Sequence, residues 1–139
     1  MGGERLLHVA FSDDWEACAR FGEYDVATRS TLYDDAGFLH ATTADGLPSV
    51  LRRVYGDATE ALVLAVVDED ALAAQGIPVR WERAAGGGDA TPRIEGTLPM
   101  DRATVVAVLP VGRGADGWVP PDLDGLAVRR SAPVSPAAP

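Results

Sequence analysis

The run ALVLAVV at residues 61–67 is the feature that most restricts how this chain can fold. All seven residues are apolar and three of them are β-branched. An unbroken apolar run of this length, without polar residues at alternate positions, is typical of a strand that is covered on both faces. We therefore predict a central strand here, in a sheet with further structure packed on each side.

The rest of the chain alternates between strand and helix patterns. Further strands are predicted from short apolar or alternating runs at residues 6–10, 37–43, 78–83, 93–96 and 103–109. Helices are predicted at residues 13–21 and 47–55, with one more helical turn at residues 68–75. No regular pattern is visible at residues 23–36. This order predicts an α+β fold with two or three helices packed on a mixed, mostly antiparallel sheet.

The length of 139 residues fits one domain. We assign residues 1–112 to a single α+β domain. Residues 113–139 are rich in Pro, Gly and Ala and have almost no periodicity, so they are interpreted as a C-terminal extension. Disorder is expected from about Ser131 onward, where the sequence is SAPVSPAAP.

The charge balance limits the partners that this chain can have. With 12 basic and 21 acidic residues the net charge is −9, so generic nucleic-acid binding and attraction to anionic membranes are not expected. No apolar run approaches about 18–20 residues, and the first residues do not resemble a signal peptide. The single cysteine cannot form an internal disulfide. We expect a cytoplasmic protein, and its oligomeric state stays open.

Several segments, in order, resemble one known family. They are LHVAFSDDWEAC, GFLHATT, ALVLAVVDEDAL, PVRWE, GGG, PRIEGTLPMD and VVAVLP, and they extend from about Leu6 to Pro110. This succession resembles the bacterial family called domain of unknown function 952 (DUF952). The resemblance implies an ADP-ribosyltransferase-like fold. It also implies that His8 and His40 match two histidines of a branch of that superfamily that is similar to RNA 2′-phosphotransferases.

The resemblance implies a cleft for a nucleotide such as NAD, in which the candidate catalytic residues are His8, His40, Glu82 and Glu95. Neutral imidazoles can hold ribose hydroxyls or a pyrophosphate edge, and a carboxylate can stabilise an oxocarbenium-like state. Candidate ligand-binding residues supply hydroxyl donors, bidentate cations and a flat ring: Thr42, Thr43, Arg80, Trp81 and Arg93. The expected partner is a small anionic or nucleotide ligand. No metal is expected, because two histidines without HxH, HxxxH or CxxC spacing do not make a zinc site.

Two departures from the family pattern keep other functions open. Arg93 stands where the family commonly has His, and Glu95 where it has an aromatic residue, so the charge of the site differs. The chain is therefore an enzyme related to ADP-ribosyl- or phosphotransferases, or a binding module without catalysis, or a structural or interaction protein with packed histidines. In the last case Arg80, Trp81 and Glu82 would form a surface ladder of cross-strand charge pairs.

Overall fold

A computed structural model describes residues 4–28, 31–83 and 90–133. All ladders among its named strands are antiparallel, as the α+β prediction expects. In chain order the elements are β1 Arg5–Phe11, α1 Ser12–Ala19, β2 Glu23–Tyr24, β3 Val26–Thr28, β4 Thr31–Leu32, α2 Tyr33–Ala36, β5 Leu39–His40, α3 Leu47–Arg53, β6 Leu62–Asp68, α4 Glu69–Ala74, β7 Val79–Glu82, β8 Thr91–Ile94, β9 Leu98–Pro99, β10 Val105–Pro110, β11 Gly112–Gly114 and β12 Gly117–Val119.

The prediction of a central strand is confirmed by β6. It lies between β1 and β10 in a three-stranded sheet. Leu64 and Val66 belong to the apolar cluster on one side of this sheet, and Ala65 and Val67 belong to the cluster on the other side. All four side chains are fully buried, and burial of a side chain the size of Val or Leu contributes about 1.5–3 kcal/mol. This two-sided burial explains why no polar residue interrupts the run.

A β-bridge joins this sheet to a second one, in which the order is β5-β8-β7. The bridge pairs Leu7 of β1 with Thr42, two residues after β5. The Leu7 N–H donates to the Thr42 carbonyl at 2.9 Å, and the Thr42 N–H donates to the Leu7 carbonyl at 2.8 Å. Strand β1 is therefore bonded to β6 along one edge and is linked to the second sheet at the other edge.

The helices number four in the described residues, where two or three were predicted. The unpredicted helix is α2, in the stretch that showed no regular pattern. It has only four residues and ends at Gly37, whose φ of 83° is readily adopted by glycine. A helix of one turn is too short to display a 3.6-residue repeat, which is why the sequence pattern did not reveal it. None of the helices in the described ranges is long and apolar enough to cross a membrane.

Residues 126–130, called here the C-terminal strap, pack against the edge of β1 that faces away from β6. The Arg5 N–H donates to the Ala127 carbonyl at 3.1 Å, and the Arg129 N–H donates to the Arg5 carbonyl at 2.8 Å. On its other side the strap accepts hydrogen bonds from the Ala44 and Asp45 amides, both at 2.9 Å. The strap thus fills the space between β1 and the loop before α3. The predicted boundary at residue 112 stays a prediction, and residues 134–139 of the predicted disordered tail lie outside the described residues.

The Arg129 side chain fastens the strap to two other parts of the fold. Its guanidinium contacts Glu69 at the start of α4 at 2.9 Å and Glu4 before β1 at 2.7 Å, and it lies 5.4 Å from the centre of the Trp81 ring. A second hydrogen bond to Glu69, at 3.3 Å, makes that contact bidentate. Bidentate arginine–carboxylate pairs combine strength with a fixed geometry, so Arg129 holds the strap in one position.

Candidate ligand-binding site

The candidate site lies where β1 and β5 separate. In an antiparallel ladder every second residue exchanges two hydrogen bonds with its partner, so the rung after Leu7–Thr42 would pair Val9 with His40. That rung is not formed. The two carbonyl groups of this rung are hydrogen-bonded to side chains instead. The Tyr55 hydroxyl donates to the Val9 carbonyl at 3.2 Å, and Nδ1 of His8 bonds to the His40 carbonyl. The two strands are held apart by these contacts.

A cavity of about 210 Å³ occupies the gap. Its wall combines residues 7–9 of β1, residues 27–28 of β3, residues 40–42, three residues from α3 and the turn that follows it, and Thr91 of β8. Half of the lining residues are aliphatic, and the polar groups come from the two histidines, three threonines and one tyrosine. An apolar hollow with a few polar groups is the usual form of a small-molecule site.

His8 is deeply buried in this wall, with 2% of its surface exposed. Burial, partly offset by the hydrogen bond to the His40 carbonyl, lowers the pKa of His8 to about 4, so the ring is neutral at pH 7. A carbonyl oxygen can only accept, so the single ring proton lies on Nδ1. Nε2 therefore carries a free lone pair, and this buried atom has no hydrogen-bond partner among the described residues.

His40 is on the same cavity wall but is exposed. Its ring lies 4.7 Å from that of Phe38. Partial desolvation and, to a lesser extent, the positive charge of Arg93 lower the pKa of His40. Arg93 stands directly opposite His40 in the β5–β8 ladder. The two histidines thus line one cavity, His8 at a buried position and His40 at an exposed one beside a cation.

The two predicted threonines have different positions. Thr42 lies on the cavity wall. Thr43 is buried, and its hydroxyl accepts a hydrogen bond from the Gly46 N–H at 3.2 Å in the turn that precedes α3. A Cβ atom at Gly46 would lie only 2.3 Å from Oγ1 of Thr42, so the position of the Thr42 side chain depends on glycine here. Thr43 holds the turn, whereas Thr42 contributes to the cavity.

The predicted arginines and glutamates do not line this cavity. They form a charge ladder on β7, β8 and the residue after β8, in which Arg80 contacts Glu95 at 3.3 Å and Glu82 at 3.6 Å, and Arg93 contacts Glu82 at 3.9 Å. The Arg93 guanidinium also stacks on the Phe38 ring at 4.2 Å. This is the surface arrangement that the sequence left open as an alternative to a site.

Trp81, the remaining predicted ligand-binding residue, is also absent from the cavity wall. Side chains alternate between faces along a strand, so Trp81 lies on the opposite face of β7 from Arg80 and Glu82. The guanidinium of Arg129, in the C-terminal strap, lies over its ring. Its half-buried ring therefore supports the packing of the strap.

Three polar residues of the wall were not predicted from the sequence: Thr28, Tyr55 and Thr91. Thr28 and Thr91 come from short segments that carry no distinctive motif. For Tyr55 a signal existed, because it follows Leu51 by four residues and so continues the apolar face of the predicted helix. Its hydroxyl nevertheless reaches the Val9 carbonyl, a contact that depends on the packing of α3 against β1.

Comparisons with known proteins identify the family and the fold. The model of a family described as "Protein of unknown function (DUF952)" matches residues 9–108. No curated protein matches the chain. The crystal structure of protein CC0527 from Caulobacter crescentus is similar, with a TM-score of 0.67, 23% sequence identity and coverage of 88% of this chain and 98% of that chain. A double mutant of the same protein gives 22% identity with the same TM-score and coverage.

At these identities the structural likeness shows the fold alone: a mixed α+β architecture with mostly antiparallel sheets. It does not extend to the ADP-ribosyltransferase-like fold that the resemblance implied. The family match covers well over half of the chain and includes His40, β6 and the charge ladder. The chain therefore belongs to the family of proteins of unknown function designated DUF952.

Proposed function

We propose that the protein binds a small nucleoside-type ligand in the cavity between β1 and β5, and that His8 accepts a hydrogen bond from it. The observation that carries this proposal is the buried Nε2 atom of His8, which has no partner among the described residues. A buried polar group without a hydrogen bond costs about 1–3 kcal/mol. A packed structural histidine would normally bond through both nitrogens, whereas His8 bonds to the described residues through Nδ1 only.

The cavity size determines how much of a ligand can enter. Pockets that enclose drug-sized molecules have volumes of about 300–1,000 Å³, and this one has about 210 Å³. One ring or one sugar fits inside, and the remainder of a nucleotide would lie at the rim. The part of the ligand at the rim is expected to be anionic, because Arg93 is the cross-strand partner of His40 and brings a positive charge next to the cavity wall.

The geometry supports binding more strongly than it supports a transferase reaction. Stabilising an oxocarbenium-like state requires a carboxylate near the sugar. Among the described residues that line the cavity there is no carboxylate, and Glu82 and Glu95 are both paired with arginines. An ADP-ribosyltransferase- or phosphotransferase-related activity would require one of them to leave its partner. We therefore place the non-catalytic binding module first.

Thermal-shift and calorimetric titrations with NAD, ADP-ribose and the common mononucleotides test the proposal. A ligand at 100 times its Kd should stabilise the folded state by about 2.7 kcal/mol. His8→Asn is the matched variant, since an Asn amide can still donate to the His40 carbonyl but cannot replace the Nε2 acceptor. The response should disappear in this variant and persist in Glu16→Gln, an exposed position on α1.

A full response in His8→Asn, or no response to any compound of the panel, would refute the proposal. Release of nicotinamide from NAD by the wild-type protein would favour the transferase instead. In that case Glu82→Gln and Glu95→Gln would identify the carboxylate that takes part.

A further inference from the structure

We infer that the cavity recognises the imide edge of a uracil-type base, through the main-chain N–H groups of Val9 and His40 together with Nε2 of His8. This inference rests on the proposed function and specifies the ligand class. It starts from the rung that is missing between β1 and β5.

The direction of the main-chain groups follows from the ladders on either side of the gap. Leu7 exchanges both of its hydrogen bonds with Thr42, so Val9, two residues later, directs its N–H and carbonyl to the same edge of β1. On the other strand the Ala41 N–H donates to the Pro92 carbonyl in β8. His40 therefore directs its own N–H and carbonyl away from β8, toward β1.

Only half of the missing rung has been replaced by other contacts. The Val9 carbonyl accepts from Tyr55, and the His40 carbonyl bonds to His8. In a regular ladder the Val9 N–H would donate to the His40 carbonyl, and the His40 N–H would donate to the Val9 carbonyl. These two carbonyls lie across the gap. Val9 and His40 both line the cavity. In the part of the chain that the structure describes, neither the Val9 N–H nor the His40 N–H has an acceptor, so the gap presents two N–H donors, one from each strand.

The third polar group of this array is an acceptor. Nδ1 of His8 faces a carbonyl oxygen and holds the ring proton, so Nε2 has a lone pair. Two donors and one acceptor complement an edge that carries two acceptors and one donor. The imide edge of uracil or thymine has this composition, with N3–H between two carbonyl oxygens. Cytosine has a lone pair at N3 and an amino group beside it, so two of its three groups would meet groups of the same kind.

The walls and the volume agree with a pyrimidine. Aliphatic side chains from β1 and α3, among them Leu7, Val50 and Val54, line the cavity, and such side chains suit the faces of a flat ring. Enzymes that bind an unstacked base commonly recognise it through its Watson–Crick edge while apolar groups cover its faces. The volume of about 210 Å³ admits a single six-membered ring more readily than a purine.

Calorimetry with uridine and cytidine provides the matched test. Leaving buried polar groups unmatched costs about 1–3 kcal/mol, so cytidine should bind about 5-fold to 150-fold more weakly than uridine. N3-methyluridine, which lacks the central donor, should also bind more weakly. His8→Asn should reduce the difference between uridine and cytidine, and Glu16→Gln should leave it unchanged.

A spectrum of the labelled protein tests the main-chain donors directly. In a ¹H–¹⁵N correlation experiment the Val9 and His40 amide signals should move downfield on addition of uridine, because both N–H groups gain an acceptor. Equal affinities for uridine and cytidine, or binding of NAD or purine nucleotides without binding of uridine, would overturn this inference and leave the proposed function standing. No binding by any nucleoside or nucleotide would overturn both.

Discussion

The low pKa of His8 makes a specific prediction about how stability depends on pH. In the unfolded chain a histidine has a pKa of about 6.5, and in the folded protein the pKa of His8 is about 4. Between these values the unfolded state binds more protons than the folded state. The contribution of His8 to stability is therefore complete above about pH 6.5 and is lost progressively as the pH falls toward 4.

The size of the effect follows from the two pKa values. The full difference corresponds to about 3 kcal/mol, of which about 2 kcal/mol is lost between pH 7 and pH 5. His8→Asn removes this titration and keeps a donor for the His40 carbonyl. The variant should be less stable than the wild type at pH 7, and the gap between them should narrow by about 2 kcal/mol at pH 5.

Urea unfolding followed by tryptophan fluorescence at several pH values between 4.5 and 7.5 measures this difference. The carboxylates and His40 are present in both proteins, so their contributions largely cancel when the two curves are subtracted. If the wild-type and His8→Asn stabilities run parallel over this range, His8 is not a buried neutral imidazole, and the reasoning that leads to a free Nε2 lone pair is wrong.

The remaining predictions concern the surroundings of the cavity and the strap, and all are measured as changes in the free energy of unfolding. Gly46→Ala forces a Cβ to within 2.3 Å of the Thr42 hydroxyl and should lower the free energy of unfolding by about 1–3 kcal/mol. It should also weaken any nucleoside binding, and unchanged binding would show that the Thr42 position is not critical. Arg129→Ala leaves the Glu69 carboxylate, with only 18% of its side chain exposed, without its cation and should cost about 2 kcal/mol. Arg80→Ala, at a site with 59% of the side chain exposed, should change stability by about 0.5 kcal/mol or less, and equal effects of the two substitutions would contradict the role given to the strap. Tyr55→Phe removes one buried hydrogen bond and should cost about 1 kcal/mol, and no loss would mean that this contact does not hold the gap open.

The layered fold was largely predictable, because its central strand carries an unambiguous signal. Residues 61–67 are apolar without alternation, and only two-sided burial produces such a run. The pairing of Leu7 with Thr42 was not predictable in the same way. It joins residues 35 positions apart through main-chain groups, and main-chain hydrogen bonds leave little trace in the choice of side chain.

The candidate site was only partly predictable for a related reason. The resemblance to DUF952 selected His8 and His40, and both line one cavity. For Arg80, Glu82 and Arg93, alternation along a strand cannot distinguish the wall of a cleft from a solvent-facing charge ladder, since both place every second residue on one face. The distinction requires knowledge of which face of β7 and β8 is covered, and that is set by the rest of the chain.

The strap also has a practical consequence for work on this protein. A fragment designed from the family boundaries would begin near residue 9 and end near residue 108. It would lack the first four residues of β1 and also the strap that bonds to Ala44 and Asp45. It would also lack Trp118, whose indole donates to the Tyr55 carbonyl at 2.8 Å. Recombinant versions shortened in this way should be harder to purify in folded form, and an affinity tag that must not disturb the fold is better placed beyond the strap than directly after β10.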